Sequence, residues 1–384
     1  MSTDPRPQLV ATDAVVVAAR RSPIATRGRG LARLTVDRLA APVIRAALDD
    51  ANGSVAGQPP VADVILGNCM GPGGNPARVA ALGAGLGLEV PGATVDRQCG
   101  SGLAAVLDAA TAIRAGDDRL YLAGGVESAS TAPVRSMNGA SYERAAFAPD
   151  GFPDPDMTRA AEALAEADGI TRERQDAYAL LSRRRAAAAG SGGRFAAELV
   201  TIGGMQADDI ARADPALLPR FRPLFPGGSV TGGNACRVSD GAAAVVVVPG
   251  SRAAGAAGLV LRGHAVVGCD PALPGVGAAP AIAAALDRAG MGVSGLAAIE
   301  LVEAFAAQSL AVLDRLSVAD TDDRVCADGG ALALGHPWGA SAAIAVVRLF
   351  SRLVRGGAPA GTHGVAAASV GGGMGVAAVF EVVR

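Results

Sequence analysis

Along this chain, short apolar or β-branched runs alternate with longer alanine-rich stretches whose hydrophobic residues recur at helical spacing. Ala14–Ala18, Val64–Leu66, Leu120–Ala123, Ala243–Val248 and Val376–Phe380 read as strands. Thr35–Asp50, Gly102–Ala115, Ala278–Ala289, Ser309–Leu316 and Ala340–Val354 read as helices, most with glycine or proline near one edge. The alternation predicts an α/β protein whose sheets are covered on both faces.

From about Glu127 to Gly233 the alternation weakens, and aromatic residues, methionine, proline and charge enter, as in SMNGASYERAAFAPDGFPDPDM. This reads as an insertion folded over the core. Within it, ITRERQDAYALLSRRRAAAA has helical spacing, with Thr171 three residues ahead of Arg174 as half of a capping box, and is expected to be a solvated amphipathic helix. Two segments on either side of the insertion share a plan. QCGSGLAAVLDAATAI is a cysteine loop feeding a helix, and LGHPWGASAAIAVVRLF is a histidine loop feeding a helix, the pattern of a duplicated half.

With 384 residues, half of them hydrophobic, the chain is long enough for a large buried core. No window approaches about 18 uninterrupted apolar residues, and the start carries no basic segment followed by an apolar run and a cleavage site. A soluble, unexported protein of the cytoplasm is expected. The five cysteines are odd in number, scattered and never spaced CxxC, which predicts free thiols and neither a disulfide framework nor a metal site. A net charge of −2 and the lack of a basic block argue against a nucleic-acid partner. All 34 basic residues are arginine, a codon-usage signature that carries no mechanism.

Cys99 lies in VDRQCGSGL, where an extended segment ends, Gly100 and Gly102 permit a sharp turn, and a helix begins. The positive end of that helix favours the thiolate, the nucleophilic form, so a lowered thiol pKa is expected. Out of context, a structural cysteine at a tight turn is the commoner reading. His336, in GGALALGHPWGASAA, also lies between glycines ahead of a helix, and imidazole is the base a thiol needs, although a turn histidine bonded to backbone has the same surroundings. In ASVGGGMGVAAVFE three consecutive glycines precede a final strand and read either as a backbone oxyanion cradle or as a tight turn.

Taken in order, ARRSPIATRGRGL, LGNCMGPGGNPAR, VDRQCGSGL, AGGVESAS, TGGNACRVSDGAAA, VEAFAAQ, GGALALGHPWGAS and SVGGGMG resemble the motifs of the thiolase family over almost the whole chain. The resemblance implies two βαβ-type halves in a layered α-β-α-β-α arrangement. Residues 1–120 with about 237–262 would form the N-terminal half, 121–236 an inserted loop domain with coenzyme A and oligomer contacts, and 263–384 the C-terminal half. It implies a homodimer or homotetramer. It implies coenzyme A thioesters as substrates with no further cofactor, and a place in fatty-acid metabolism. By the same similarity Cys99 would carry the acyl group, His336 would activate it, the amides of Cys99 and Gly371 would form the oxyanion hole, and Phe225, Cys236 and Phe305 would line the pantetheine tunnel. Cys236 replaces a serine found in many relatives.

Two positions depart from the family pattern. Val302 stands where many thiolases carry an asparagine that holds a water beside the histidine, and Ser369 stands where the family places the cysteine that moves the proton during carbon-carbon bond chemistry. Losing a positioned acid or base costs about 10² to 10⁴ in rate, and losing an oxyanion donor about 10² to 10³. His363 is the nearest alternative base in sequence, six residues from Ser369. Three functions are open at this point: a thiolase-type acyl-CoA C-acyltransferase acting on acetoacetyl-CoA or a longer 3-oxoacyl-CoA; an altered acyltransferase or thioester hydrolase with impaired carbon-carbon chemistry; and a non-catalytic acyl-CoA-binding relative. The intact CGSGL and GHPWGAS segments disfavour the third.

Overall fold

The structure, a computed structural model, describes residues 9–57, 59–253 and 255–384. Residues 1–8, part of the start on which the expectation of an unexported chain rested, lie outside them. The first half runs β1 (Ala14–Arg21), β2 (Ala25–Thr26), α1 (Val36–Ala51), β3 (Val61–Gly67), α2 (Pro76–Gly83), β4 (Gly92–Val95), α3 (Ser101–Arg114) and β5 (Leu120–Ser128). Then come a small hairpin of β6 (Arg135–Met137) and β7 (Ala140–Tyr142), and two helices, α4 (Met157–Ala167) and α5 (Arg172–Ser191). After an irregular stretch β8 (Ser239–Pro249) follows. The second half runs β9 (Gly258–Gly268), α6 (Ala278–Arg288), β10 (Leu296–Leu301), α7 (Ala306–Arg315), α8 (Ala331–Leu334), α9 (Trp338–Phe350), β11 (His363–Val370) and β12 (Met374–Val383).

Nine of the strands pair in the order β10-β11-β12-β9-β1-β8-β5-β3-β4, with β2 added beside β8. The order contains the same pattern twice. β3 runs parallel to β4 and to β5, and β5 is antiparallel to β8; β10 runs parallel to β11, which is antiparallel to β12. The fifth strand of the second half shrinks to a single parallel bridge between Ile299 and Val325. The halves meet at β1 and β9 through only two registered pairs, Val15 with Val260 and Val16 with Leu259.

Strand β8 shows why the layers form. Its sequence is apolar at every position from Ala242 to Val248, yet the alternation of side chains still divides it between two cores. Ala243, Val245 and Val247 face α3 and α9, while Ala244, Val246 and Val248 face α1 and α2. In β11, Ala366, Ala368 and Val370 face the α3/α9 layer, and Val365 and Ala367 face α6 and α7. The result is five layers, helix-sheet-helix-sheet-helix, with α3 and α9 as the shared middle layer. No helix among the described residues is long and apolar enough to cross a membrane.

Helix α5 differs from the expected solvated helix. Thr171 does cap it, accepting from the Arg174 amide at 3.3 Å, but Gln175, Tyr178, Ala179, Ser182 and Ala186 are buried along one face. Tyr178 and Ser182 donate to the buried carboxylate of Glu303 at 3.0 and 2.7 Å, so the helix docks on the second half. The chain after α5 is anchored by charge. Arg21 of β1 bonds Glu198 at 2.7 Å and Asp208 at 2.6 Å, Arg348 of α9 bonds Glu198 and Asp328, and the Phe195 ring lies under both guanidinium groups.

The middle layer depends on glycine. A Cβ on Gly102 of α3 would lie 2.8 Å from Ala343 Cβ and 2.9 Å from the Gly339 carbonyl of α9, and one on Gly125 of β5 would overlap that same carbonyl. Gly125→Ala is therefore expected to destabilise the protein by about 3 kcal/mol or more in urea unfolding. Gly83→Ala, whose Cβ meets only Ala41 at 3.4 Å, is expected to be neutral or stabilising in the same measurement.

Candidate active site

Strand β4 delivers the chain into a turn that is held from several sides. Asp96 accepts from the Gln98 amide at 2.9 Å, and Ser101 accepts from the Arg97 amide at 2.7 Å while donating to the Gln98 carbonyl at 2.6 Å. Gln98 is thereby kept at φ 40, a left-handed conformation costing roughly 1–3 kcal/mol in a non-glycine residue. Cys99 follows immediately, at the entry to α3, on the strained shoulder of the turn.

His336 arrives by the equivalent route in the second half. Gly335, at φ 111, turns the chain out of α8, and the His336 amide then donates to the Arg237 carbonyl at 2.9 Å just before β8. Its Nε2 lies 3.2 Å from Cys99 Sγ and its Nδ1 lies 2.6 Å from Ser341 Oγ. Ser341 donates its single proton to the Pro337 carbonyl at 2.9 Å. The serine oxygen therefore accepts from Nδ1–H, which leaves Nε2 unprotonated and facing the thiol. That is the tautomer a general base requires.

Glu127, at the end of β5, locks the two loops together. Its buried carboxylate accepts from the Gly339 amide in the first turn of α9 at 3.0 Å, from the Cys69 and Met70 amides at 3.1 Å each, and from Asn68 Nδ2 at 3.0 Å. One carboxylate thus fixes the histidine helix against the loop that borders Cys99. Glu127, Asn68 and Ser341 were not among the residues singled out from the sequence, although AGGVESAS, LGNCMGPGGNPAR and GHPWGAS contain them.

Burial governs the charge state of the pair. It pushes the Cys99 thiol up to about 12, reinforced by the negative charges of Glu127 and Asp96, and pushes His336 down to about 4. The direction is opposite to the lowered thiol pKa expected from the helix terminus: desolvation is the largest cause for both groups and favours their uncharged forms.

The other expected residues divide into two groups. Gly371 packs against the insertion, since a Cβ there would lie 2.8 Å from the Phe147 ring and 3.6 Å from Met157 Sδ. Cys236 and Phe305 come together, because the Cys236 amide donates to the Ala304 carbonyl and Ala235 pairs with Phe305. Phe225 lies on a separate loop under the Arg159 guanidinium, 3.5 Å from its ring centre. Val302 is buried in the apolar middle layer and borders a cavity of about 30 Å³ that Ser341 also lines.

Ser369 has its hydroxyl committed elsewhere. It donates to the Gly275 carbonyl at 2.6 Å and accepts from the Ala278 amide at 3.0 Å and Gln308 Nε2 at 3.5 Å, which caps the start of α6. His363 stands at the opposite end of β11, about 20 Å of strand away from Ser369, beside Glu381. It does not replace the missing base.

A thiol paired with an oriented imidazole thus lies at the facing helix ends of a duplicated α/β core. Residues 14–251 match the family described as thiolase, N-terminal domain, and residues 257–382 match thiolase, C-terminal domain. An acetyl-CoA acetyltransferase of Pseudomonas aeruginosa is 41% identical over 394 residues, covering 95% of this chain and 98% of that protein. The crystal structure of the Bacillus anthracis acetyl-CoA acetyltransferase superposes with TM-score 0.87 at 36% identity, covering 97% of this chain and 99% of that one. Human mitochondrial 3-ketoacyl-CoA thiolase in complex with CoA superposes with TM-score 0.85 at 31% identity, with 97% and 99% covered. The chain belongs to the thiolase family, and its class is that of the acyltransferases.

Ser341→Ala is expected to lower the rate of Cys99 acylation by about 10-fold or more with little change in substrate affinity, read by stopped-flow CoA release. The pH profile of the unaltered enzyme gives a second test. Because His336 is neutral in the folded protein above about 4, acylation is expected to stay flat through neutral pH and to fall only on the acid side as that imidazole protonates. An acid limb centred near the ordinary histidine value would contradict the buried, neutral base.

Proposed function

We propose that the protein moves acyl groups between coenzyme A thioesters through a thioester on Cys99, condensing or cleaving acetoacetyl-CoA or a longer 3-oxoacyl-CoA. The observation that carries this reading is the 3.2 Å contact between Cys99 Sγ and His336 Nε2, with Nδ1 tied to Ser341. His336 takes the thiol proton as sulfur attacks the carbonyl carbon, the amides of Cys99 and Gly371 receive the developing oxyanion, and the departing group leaves with the proton held on His336. Phe305 and Cys236, adjacent at the start of α7, and Phe225 on its loop, are assigned to the pantetheine arm. The two half-domains and the insertion are assigned the boundaries read from the sequence, except that β9, which begins at Gly258, is given whole to the C-terminal half.

A second reading has its own support. In thiolytic cleavage the bond between C2 and C3 of the 3-oxoacyl chain breaks, and the carbanion of the departing acetyl-CoA must be protonated; condensation removes that same proton. Ser369, saturated by Gly275, Ala278 and Gln308, has neither the acidity nor the free geometry for this step, and Val302 offers no hydrogen bond beside His336. These features support an acyltransferase or thioester hydrolase in which acylation outruns carbon-carbon chemistry. A purely acyl-CoA-binding role leaves the oriented Cys99-His336 pair without use.

A homodimer or larger assembly fits strand β4, which ends the sheet with its outer edge unpaired, next to Val79, Leu82 and Leu88, all substantially exposed. A cytoplasmic setting and a place in fatty-acid metabolism fit the free cysteines and the proposed substrates.

Incubation with acetyl-CoA is expected to add one acetyl group to the intact protein, seen by mass spectrometry and lost in Cys99→Ala. Thiolysis of acetoacetyl-CoA by free CoA then separates the two readings. Turnover comparable to acylation supports a full thiolase, whereas acylation with thiolysis slower by about 10² or more supports the altered acyltransferase. In the second case Ser369→Cys combined with Val302→Asn is expected to raise thiolysis, and no gain would show that these two positions are not what limits it.

A further inference from the structure

Helix α9 begins at the active site and ends in an arginine cluster that the reaction does not use. Its last turns, continued as a π-type turn over Ser351–Arg355, line an open cleft of about 400 Å³ together with Arg194 and Asp328. Four arginines, Arg194, Arg348, Arg352 and Arg355, line this space, and the carboxylates that pair with them are Asp328, Glu198, Glu300 and Asp50. Structural pairing uses only part of them. Arg194 reaches Asp328 through Nε at 2.6 Å, Arg352 reaches Glu300 and the Arg324 carbonyl through Nη1 alone, and Arg355 uses its two terminal nitrogens on Ser351 and the Ala19 carbonyl, with Asp50 3.7 Å from Nη2. Arg348, only 3% exposed, pairs with Glu198 and Asp328 but leaves a buried Nε without any partner among the described residues.

An unpartnered buried guanidinium N–H costs free energy, and terminal N–H groups of Arg194 and Arg352 that structural pairing does not use are charge-assisted donors of the kind oxyanions take up. The negative ends of the nearby helix carbonyls are already satisfied, since Ser351, Leu353 and Val354 accept from the amides of Gly356, Ala358 and Gly357. The opposing carboxylates are likewise spent: Glu198 on Arg21, Arg348 and Ser351, and Glu300 on Arg352. We propose that this cleft, separate from the Cys99 site, binds a small polyanion of the phosphate or polycarboxylate class.

The test is isothermal titration of the full chain with inorganic pyrophosphate and, in parallel, citrate, at low salt and with saturating coenzyme A present to occupy the substrate site. One anion is expected to bind one-to-one despite the coenzyme, and the tighter of the two assigns the class. Arg194→Gln and Arg355→Gln are each expected to weaken that binding about tenfold, the loss of a charge-assisted hydrogen bond. Arg194 is half exposed and Asp328 keeps Arg348, so this variant is expected to retain the unaltered unfolding midpoint. No binding of either anion, binding displaced by coenzyme A, or binding indifferent to both substitutions would overturn the proposal.

Discussion

The site exists because two helices approach closer than side chains normally permit. Gly67, Gly102, Gly125 and Gly339 stack where α3, α9, β3 and β5 converge, and a methyl group on any of them would meet backbone at 2.9 Å or less. Without side chains in the way, the first turns of α3 and α9 touch, and the residues leading into them, Cys99 and His336, come within hydrogen-bond distance. A single buried carboxylate, Glu127, then replaces the missing side-chain contacts with four hydrogen bonds across the junction. Packing sets the distance and Glu127 sets the orientation.

The same compactness determines the electrostatics. Desolvation disfavours the charged forms of both the half-buried thiol and the buried imidazole. The insertion contributes by covering: Phe147 and Met157 lie over Gly371, and α5 delivers Tyr178 and Ser182 to Glu303 beneath α7.

The two departures from the family pattern have become part of the packing. Val302 fills the apolar middle layer, and Ser369 caps α6 with every hydrogen-bonding capacity of its hydroxyl in use. In the proposed reaction, acylation draws on Cys99, His336 and Ser341 and on neither of these positions. Carbon-carbon chemistry does draw on them, and this difference is what separates the two functional readings.

The α/β class, the layered arrangement, most helices and the two loops that bring Cys99 and His336 together were legible in the sequence, since burial patterns, glycine-flanked loops and ordered motifs are local properties. Helix α1 was read within one residue of its bounds, whereas α7 begins three residues before the expected start because its first turn is set by pairing of Ala235 with Phe305. What the chain could not show by itself was which distant groups meet. The role of Glu127 depends on Gly339 lying 212 positions away, the thiol that a helix end should acidify is instead pushed up by desolvation, and Ser369 is occupied by a loop 94 positions earlier. Sequence fixes which side chains are available, but desolvation and hydrogen-bond saturation arise only when the layers close, and those two quantities decided the charge of the nucleophile and the fate of the serine.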